Sequence, residues 1–110
     1  MVNKKKTDHA ILILDESINI SSRKGNGILR MRASTDKKGN LLRYSLAYIN
    51  PNIYNHDNGR VLGYDNNHDY HHRHYMGKVE KVNFSTFEEI QIQFEAEWRR
   101  LHDDYQKKKK

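Results

Sequence analysis

At 110 residues the chain has the length of one domain, and its apolar share of 35% with a mean hydropathy of −1.05 falls below the roughly 45–50% of an ordinary globular domain, so the core is thin or completed by another chain. The absence of cysteine excludes a disulfide framework, a thiolate metal site and a thiol nucleophile. The net charge of +6 sits mostly in the tails: Lys4–Lys6 and Lys107–Lys110 supply seven positive charges, leaving 13 basic and 14 acidic residues from Thr7 to Gln106.

His9 to Ile20 opens with a continuous apolar run and continues with Ile18 and Ile20 alternating against polar neighbours, which predicts a strand or bent strand pair. Ser21–Asn26 reads as a turn. In Gly27–Ser34, Leu29, Met31 and Ala33 alternate with Ile28, Arg30 and Arg32, a half-buried strand with a basic outer face. Asp36–Asn40 is a hairpin connection, and Leu42, Tyr44, Leu46 and Tyr48 mark the next strand. Pro51 ends it, a polar loop runs to Gly59, and Arg60–Asp65 is a short fourth strand. Tyr75–Phe84 reads as a fifth strand or a loop, because Val79 and Val82 share no period-2 face. Ser85 and Glu88 have the spacing of a capping box, after which Phe87, Ile90, Phe94, Trp98 and Leu101 form one stripe of a helix. As a packed helix must present such a stripe, these aromatics are read as core.

The expected fold is α+β, an antiparallel meander of four to five strands with one C-terminal amphipathic helix packed on one face. Residues 1–7 form a basic tail, 8–105 a single domain and 106–110 a lysine-rich tail. The apolar run Ala10–Leu14 is too short for a signal-peptide core or a membrane span, so a cytoplasmic protein is expected. Asp8–Phe84 holds 11 basic and eight acidic residues, whereas Ser85–Tyr105 holds six acids against Arg99 and Arg100. Such polarity suits a face turned to phosphate, although a solvated surface with frayed tails produces the same composition.

Chemistry concentrates between Tyr64 and His74, which read Tyr-Asp-Asn-Asn-His-Asp-Tyr-His-His-Arg-His and hold four of the seven histidines. Histidine titrates near neutral pH and also ligates metals when neutral. On an extended segment His72 and His74 project to one side, and His68 or Asp69 could supply a third metal ligand, but Arg73 between them adds unfavourable charge and no established metal spacing is completed. Cleavage of RNA without a metal needs a base for the 2′-hydroxyl, an acid for the leaving oxygen and a cation at phosphorus. His72, His74 and Arg73 supply these types. Arg43 and Arg60 extend the basic surface, and Tyr64, Tyr70 and Tyr75 can stack on unpaired bases. Tyr64, Asp65 and Asn66 also have a plain structural reading, Tyr64 in the core and Asp65–Asn66 in a turn. A protein-contact loop is a third reading of the cluster.

The run Arg-Val-Leu-Gly-Tyr-Asp-Asn at Arg60–Asn66, the His-His-Arg-His at His71–His74, the short link to Phe84 and the helix Phe87–Leu101 resemble the TumE-type toxins of bacterial type II toxin–antitoxin modules. Leu42–Tyr48 is similar to that family's central strand, and the resemblance covers Asp8 to His102. By position it carries over Arg43, Tyr64, Asp65, Asn66, His72, Arg73 and His74. It implies a small cytoplasmic toxin silenced by a helix-turn-helix antitoxin. His68, His71 and the longer loop Asn50–Asn58 depart from the family pattern and leave open which histidine is catalytic. Site chemistry, together with analogy to other small toxins, leads to the expectation of a metal-independent endoribonuclease without cofactor, able to form a homodimer. His72 and His74 are its acid and base, Arg73 holds phosphate, and Arg43, Arg60, Tyr64, Asp65, Asn66 and Tyr70 bind RNA. A non-enzymatic RNA- or protein-binding module and a histidine metal-site hydrolase are the alternatives.

Overall fold

The computed structural model describes residues 10–21, 23, 27–67 and 70–109. The expected N-terminal tail 1–7, His9, most of the Ser21–Asn26 turn, and His68 and Asp69 therefore lie outside the described residues. Among the described residues six strands, β1 (Ile11–Ile20), β2 (Gly27–Thr35), β3 (Leu41–Ile49), β4 (Arg60–Asp65), β5 (His72–Tyr75) and β6 (Lys78–Lys81), precede one α-helix, α1 (Phe87–Lys109). They form one antiparallel sheet in the order β1-β2-β3-β4-β5-β6. The α+β meander is thus as expected, with six strands in place of four to five.

The difference lies at the β5–β6 hairpin. Met76 and Gly77 form its two-residue turn at φ +46° and +87°, the left-handed pair that such a hairpin requires and that Asn-Gly usually announces. β6, Lys-Val-Glu-Lys, is exposed throughout, so it lacks the apolar alternation by which a strand is recognised. The second half of the histidine cluster is consequently a strand of the sheet.

Side-chain alternation divides the sheet into two faces. Tyr44, Leu46 and Tyr48 of β3 are buried while Arg43 and Ser45, which alternate with them, are exposed. α1 covers the first face, where Ile90 and Phe94 pack among Leu29, Leu46, Tyr48, Leu62 and Tyr64. Phe94 meets the edge of Tyr64 at 6.4 Å and Trp98 tilts against Tyr48 at 5.9 Å. Burying side chains of this size stabilises by about 1.5–3 kcal/mol each, which fixes the helix to the middle of the sheet.

The helix cap lies one residue later than the Ser85–Glu88 spacing predicts. Thr86 Oγ1 accepts the Glu89 backbone N–H at 3.1 Å, and the Ser85 hydroxyl donates to the Glu89 carboxylate. Thr86 can cap because its oxygen reaches the N–H three residues on, as a capping threonine does. At its other end α1 continues to Lys109, so residues 106–109 prolong the helix.

A register shift between β3 and β4 positions the site. Tyr48 pairs with Leu62 and Ile49 with Arg60, leaving Val61 as an extra residue. A bulge of this kind reverses the facing of whatever precedes it, so Arg60 shares the open face with Gly63 and Asp65, while Leu62 and Tyr64 face α1.

Candidate active site

Asp65 ends β4 and pairs with His72, and Gly63 pairs with His74. All four therefore lie on the open face, at the level where Ser45 of β3 pairs with Asp65. Asp65 collects donors: His72 Nε2 at 2.8 Å and the Asn67 N–H at 3.1 Å on Oδ1, and His74 Nε2 at 3.1 Å on Oδ2, with Arg60 Nη1 at 3.9 Å. The side chains of Asp65 and His72 are each only 5% exposed, whereas His74 retains 13%. Among the three, His74 is the one a substrate reaches first.

Hydrogen-bond accounting separates the two imidazoles. His74 Nδ1 lies 3.1 Å from Arg60 Nη2, and since a guanidinium only donates, Nδ1 must present its lone pair while Nε2–H points at Asp65. His72 has acceptors on both sides, Asp65 at Nε2 and the Tyr70 carbonyl at Nδ1, 3.1 Å away. It satisfies both only with a proton on each nitrogen. The ring centroids are 4.7 Å apart, so an imidazole with acceptors at both nitrogens and one with a donor at Nδ1 sit side by side across one carboxylate. Burial holds the His74 pKa below the ordinary histidine value, and the positive charge of Arg60 pushes the same way against the opposing pull of Asp65.

Gly63 makes this arrangement possible. A Cβ there would come within 3.0 Å of Arg60 Cδ and 3.4 Å of the Leu46 carbonyl, because the Arg60 stem lies across Gly63 on its way to His74 and Asp65. Asp57, in the short 3-10 turn Asp57–Gly59 before β4, steadies the guanidinium at 2.9 Å. Neither residue stood out in the sequence, although a glycine inside a strand is itself a signal of close approach by another group.

Arg73 does not join this group. It lies between His72 and His74 on β5, so the period of two turns it to the helix side. There its Nε is 3.2 Å from Glu97 and its Nη1 3.1 Å from Glu80, with the ring of Tyr75 below it at 5.0 Å. Tyr64 points the same way and donates to the same Glu97 oxygen at 2.6 Å; burial and then that carboxylate raise its pKa. The structure thus brings His72 and His74 together and places Arg73 on the opposite side of the sheet, and the arginine beside the histidines is Arg60.

The remaining cluster residues separate as well. Asn66 extends the β3–β4 ladder with its side chain, accepting the Tyr44 N–H at 3.0 Å and donating to the Leu42 carbonyl at 2.9 Å. Arg43 is on the open face and donates to the Asn66 carbonyl at 3.2 Å. Tyr70 lies over the His72 ring, 4.7 Å between centroids, and is 42% exposed. His71 stacks on Phe84 at 4.0 Å and meets the Tyr44 hydroxyl at 2.9 Å, which places it with the aromatic packing beside α1.

Asp65, His72 and His74 also bring one ligand atom each to within 4.8 Å of one another, a two-histidine, one-carboxylate set of the kind that binds transition metals. The Tyr70 carbonyl on His72 Nδ1 suits such a set, as metal-bound histidines commonly donate their second N–H. Arg60 does not suit it, since it donates to the nitrogen of His74 that would then carry hydrogen. Among the described residues no helix is long and apolar enough to cross a membrane.

Comparison with the curated proteins and with the solved structures returned no match. The family model for Toxin TumE matches residues 5–102, a span that includes every strand, the Asp65–His72–His74 group and most of α1. The chain belongs to the TumE toxin family.

Proposed function

We propose that this toxin cleaves RNA at the Asp65–His74–Arg60 group without a metal ion, and that a helix-turn-helix antitoxin silences it. The observation that carries the reading is the contrast in hydrogen-bond partners, acceptors at both nitrogens of His72 and a donor at Nδ1 of His74, because paired groups with opposed protonation are what acid and base catalysis needs. His74 Nδ1 takes the proton of the 2′-hydroxyl, with Asp65 fixing the ring through Nε2–H. The freed oxygen attacks phosphorus, the bond to the 5′ oxygen breaks, and His72 returns a proton to that leaving oxygen. Arg60 exchanges His74 Nδ1 for a phosphate oxygen, which both uncovers the base and steadies the added negative charge. Arg60 takes the phosphate role that the sequence suggested for Arg73, and Tyr70 must swing away to expose His72. Asn66 and Tyr64 act by holding β4 in place.

The test is incubation of the purified protein with RNA in excess chelator. Retained cleavage that is lost in His74→Ala and His72→Ala supports the reading. A protein that arrests growth with neither substitution having any effect, and that leaves RNA intact, is a non-enzymatic binder. The converging ligand atoms of Asp65, His72 and His74 favour one second reading, a metal-dependent hydrolase, for which chelator abolishes cleavage and a divalent transition metal restores it.

A further inference from the structure

The open face has a trough beside the site. Two lateral rows of Cα partners cross it: Arg30, Ala47, Gly63 and His74 in one, Arg32, Ser45, Asp65 and His72 in the other. In both rows β3 contributes only a small side chain, Ser45 or Ala47, between arginines on β2 and the acid–base group on β4 and β5. Its walls stand two strand spacings apart, about 10 Å. At the end nearer Asp65 the trough deepens into a depression of about 400 Å³ whose lining includes Leu12, Arg32, Ser34, Arg43, Ser45 and Asn67. Asn67 is the residue whose N–H is bound by Asp65, so the depression adjoins the candidate reaction centre directly.

We infer that this depression is a nucleotide subsite that holds the unit flanking the cleaved bond and that it accepts only unpaired RNA. The inference rests on the ribonuclease reading for what happens next door, and adds the substrate class. Its chemistry is that of a nucleotide. Arg32 and Arg43 border it with guanidinium groups able to meet phosphate oxygens in pairs, Leu12 offers an apolar surface for a base, and Ser34 and Ser45 offer hydroxyls. A base enters a recess of this shape only when it is out of its helical stack, which an unpaired strand permits and a duplex resists. Asp15 opposes the ligand: it lies 2.9 Å from Arg30 and 3.7 Å from Arg32 and competes with phosphate for both.

Binding of the full chain to a fluorescent 2′-O-methyl oligoribonucleotide, which lacks the attacking hydroxyl, isolates this subsite from the chemistry. The single strand is expected to bind about tenfold or more tighter than the same sequence in duplex. Arg32→Gln and Arg43→Gln each weaken binding several-fold, up to about tenfold, and reduce the salt slope by about one ion. Asp15→Asn changes affinity in the opposite direction, tightening it, while Arg100→Gln on the exposed side of α1 changes nothing. Arg43→Lys, which keeps the charge, guards against a folding defect. Equal affinity for duplex and single strand, or unchanged binding in both arginine variants, overturns the subsite even if the protein cleaves RNA. Binding that follows the expected pattern in a protein that never cleaves unmodified RNA supports the subsite and overturns the ribonuclease reading.

Discussion

The two sides of β4 and β5 carry networks built to the same plan and suited to different ends. On the helix side Glu97 gathers Tyr64 and Arg73; on the open side Asp65 gathers His72, His74 and Arg60. Each has a carboxylate at its centre, and their members interleave along the chain, Tyr64 before Asp65 and Arg73 between the two histidines. Only the groups collected differ. An arginine and a phenol with a raised pKa hold fixed protonation states at neutral pH, so the helix-side network is a clamp between β5 and α1. Imidazoles change state there, so the open-side network can move protons. A contiguous stretch thus divides by the two-residue period into one group that holds the fold and one that can react.

This contrast is broken most directly by paired substitutions. His74→Ala is expected to lower the rate of RNA cleavage by about 10²–10⁴-fold, read in a steady-state assay, while the circular dichroism spectrum stays that of the folded protein. Arg73→Ala reverses the pattern. Removing one partner of the largely buried Arg73–Glu97 pair should cost about 2–4 kcal/mol of stability, visible in urea denaturation, with cleavage per folded molecule preserved. If Arg73→Ala abolishes cleavage in a stable protein, the division between the faces is wrong.

Gly63→Ala sharpens the account on the open side alone. Its new methyl group meets the Arg60 stem at 3.0 Å and displaces the guanidinium from His74 and phosphate. A rate reduction of about tenfold, the scale of one misaligned charge-assisted hydrogen bond, is expected alongside a modest loss of stability. Crystal structures of the wild type and the variant, compared at the Arg60 side chain, give the structural check.

pH offers a smaller effect with a definite sign. The folded His74 has a depressed pKa, so as a base it is already neutral at pH values where an ordinary histidine is still protonated, and the rising limb of the rate profile lies below about 6.5. Arg60→Gln removes one of the charges that depress it and should move that limb to higher pH. Stability follows the same linkage. Folded His74, and His71 whose pKa is lowered by burial and then by His72, bind fewer protons than in the unfolded chain. The stability they contribute is therefore full above about pH 6.5 and lost as pH falls toward their folded values. The smallest effect belongs to Glu80→Gln: Glu80 is 65% exposed, and its pairing with Arg73 should be worth less than about 1 kcal/mol.

Much of the fold was legible because alternation was clean where one side of a strand meets α1. Leu42 to Tyr48 reads as a half-buried strand, and Phe87 to Leu101 as an amphipathic helix. The β5–β6 hairpin escaped because Met76 stands where a left-handed turn usually has asparagine, and β6 buries nothing. The placement of Arg73 was itself legible, since the extended segment that puts His72 and His74 on one side turns Arg73 to the other, but its assignment to phosphate did not follow that period. The histidines and Asp65 were visible as chemistry, but the role of Asp65 as the shared acceptor depends on pairing between β4 and β5. The position of Arg60 depends on the bulge at Val61, a register feature with no marker in the residues themselves.

The most direct test of the account is the chemistry of the ends left on cleaved RNA, read by mass spectrometry. Attack by the 2′-oxygen with His74 as base predicts a 2′,3′-cyclic phosphate on one fragment and a free 5′-hydroxyl on the other. Fragments ending in a 3′-hydroxyl and a 5′-phosphate would mean that water was the nucleophile, and would contradict the assignment of the open-face group.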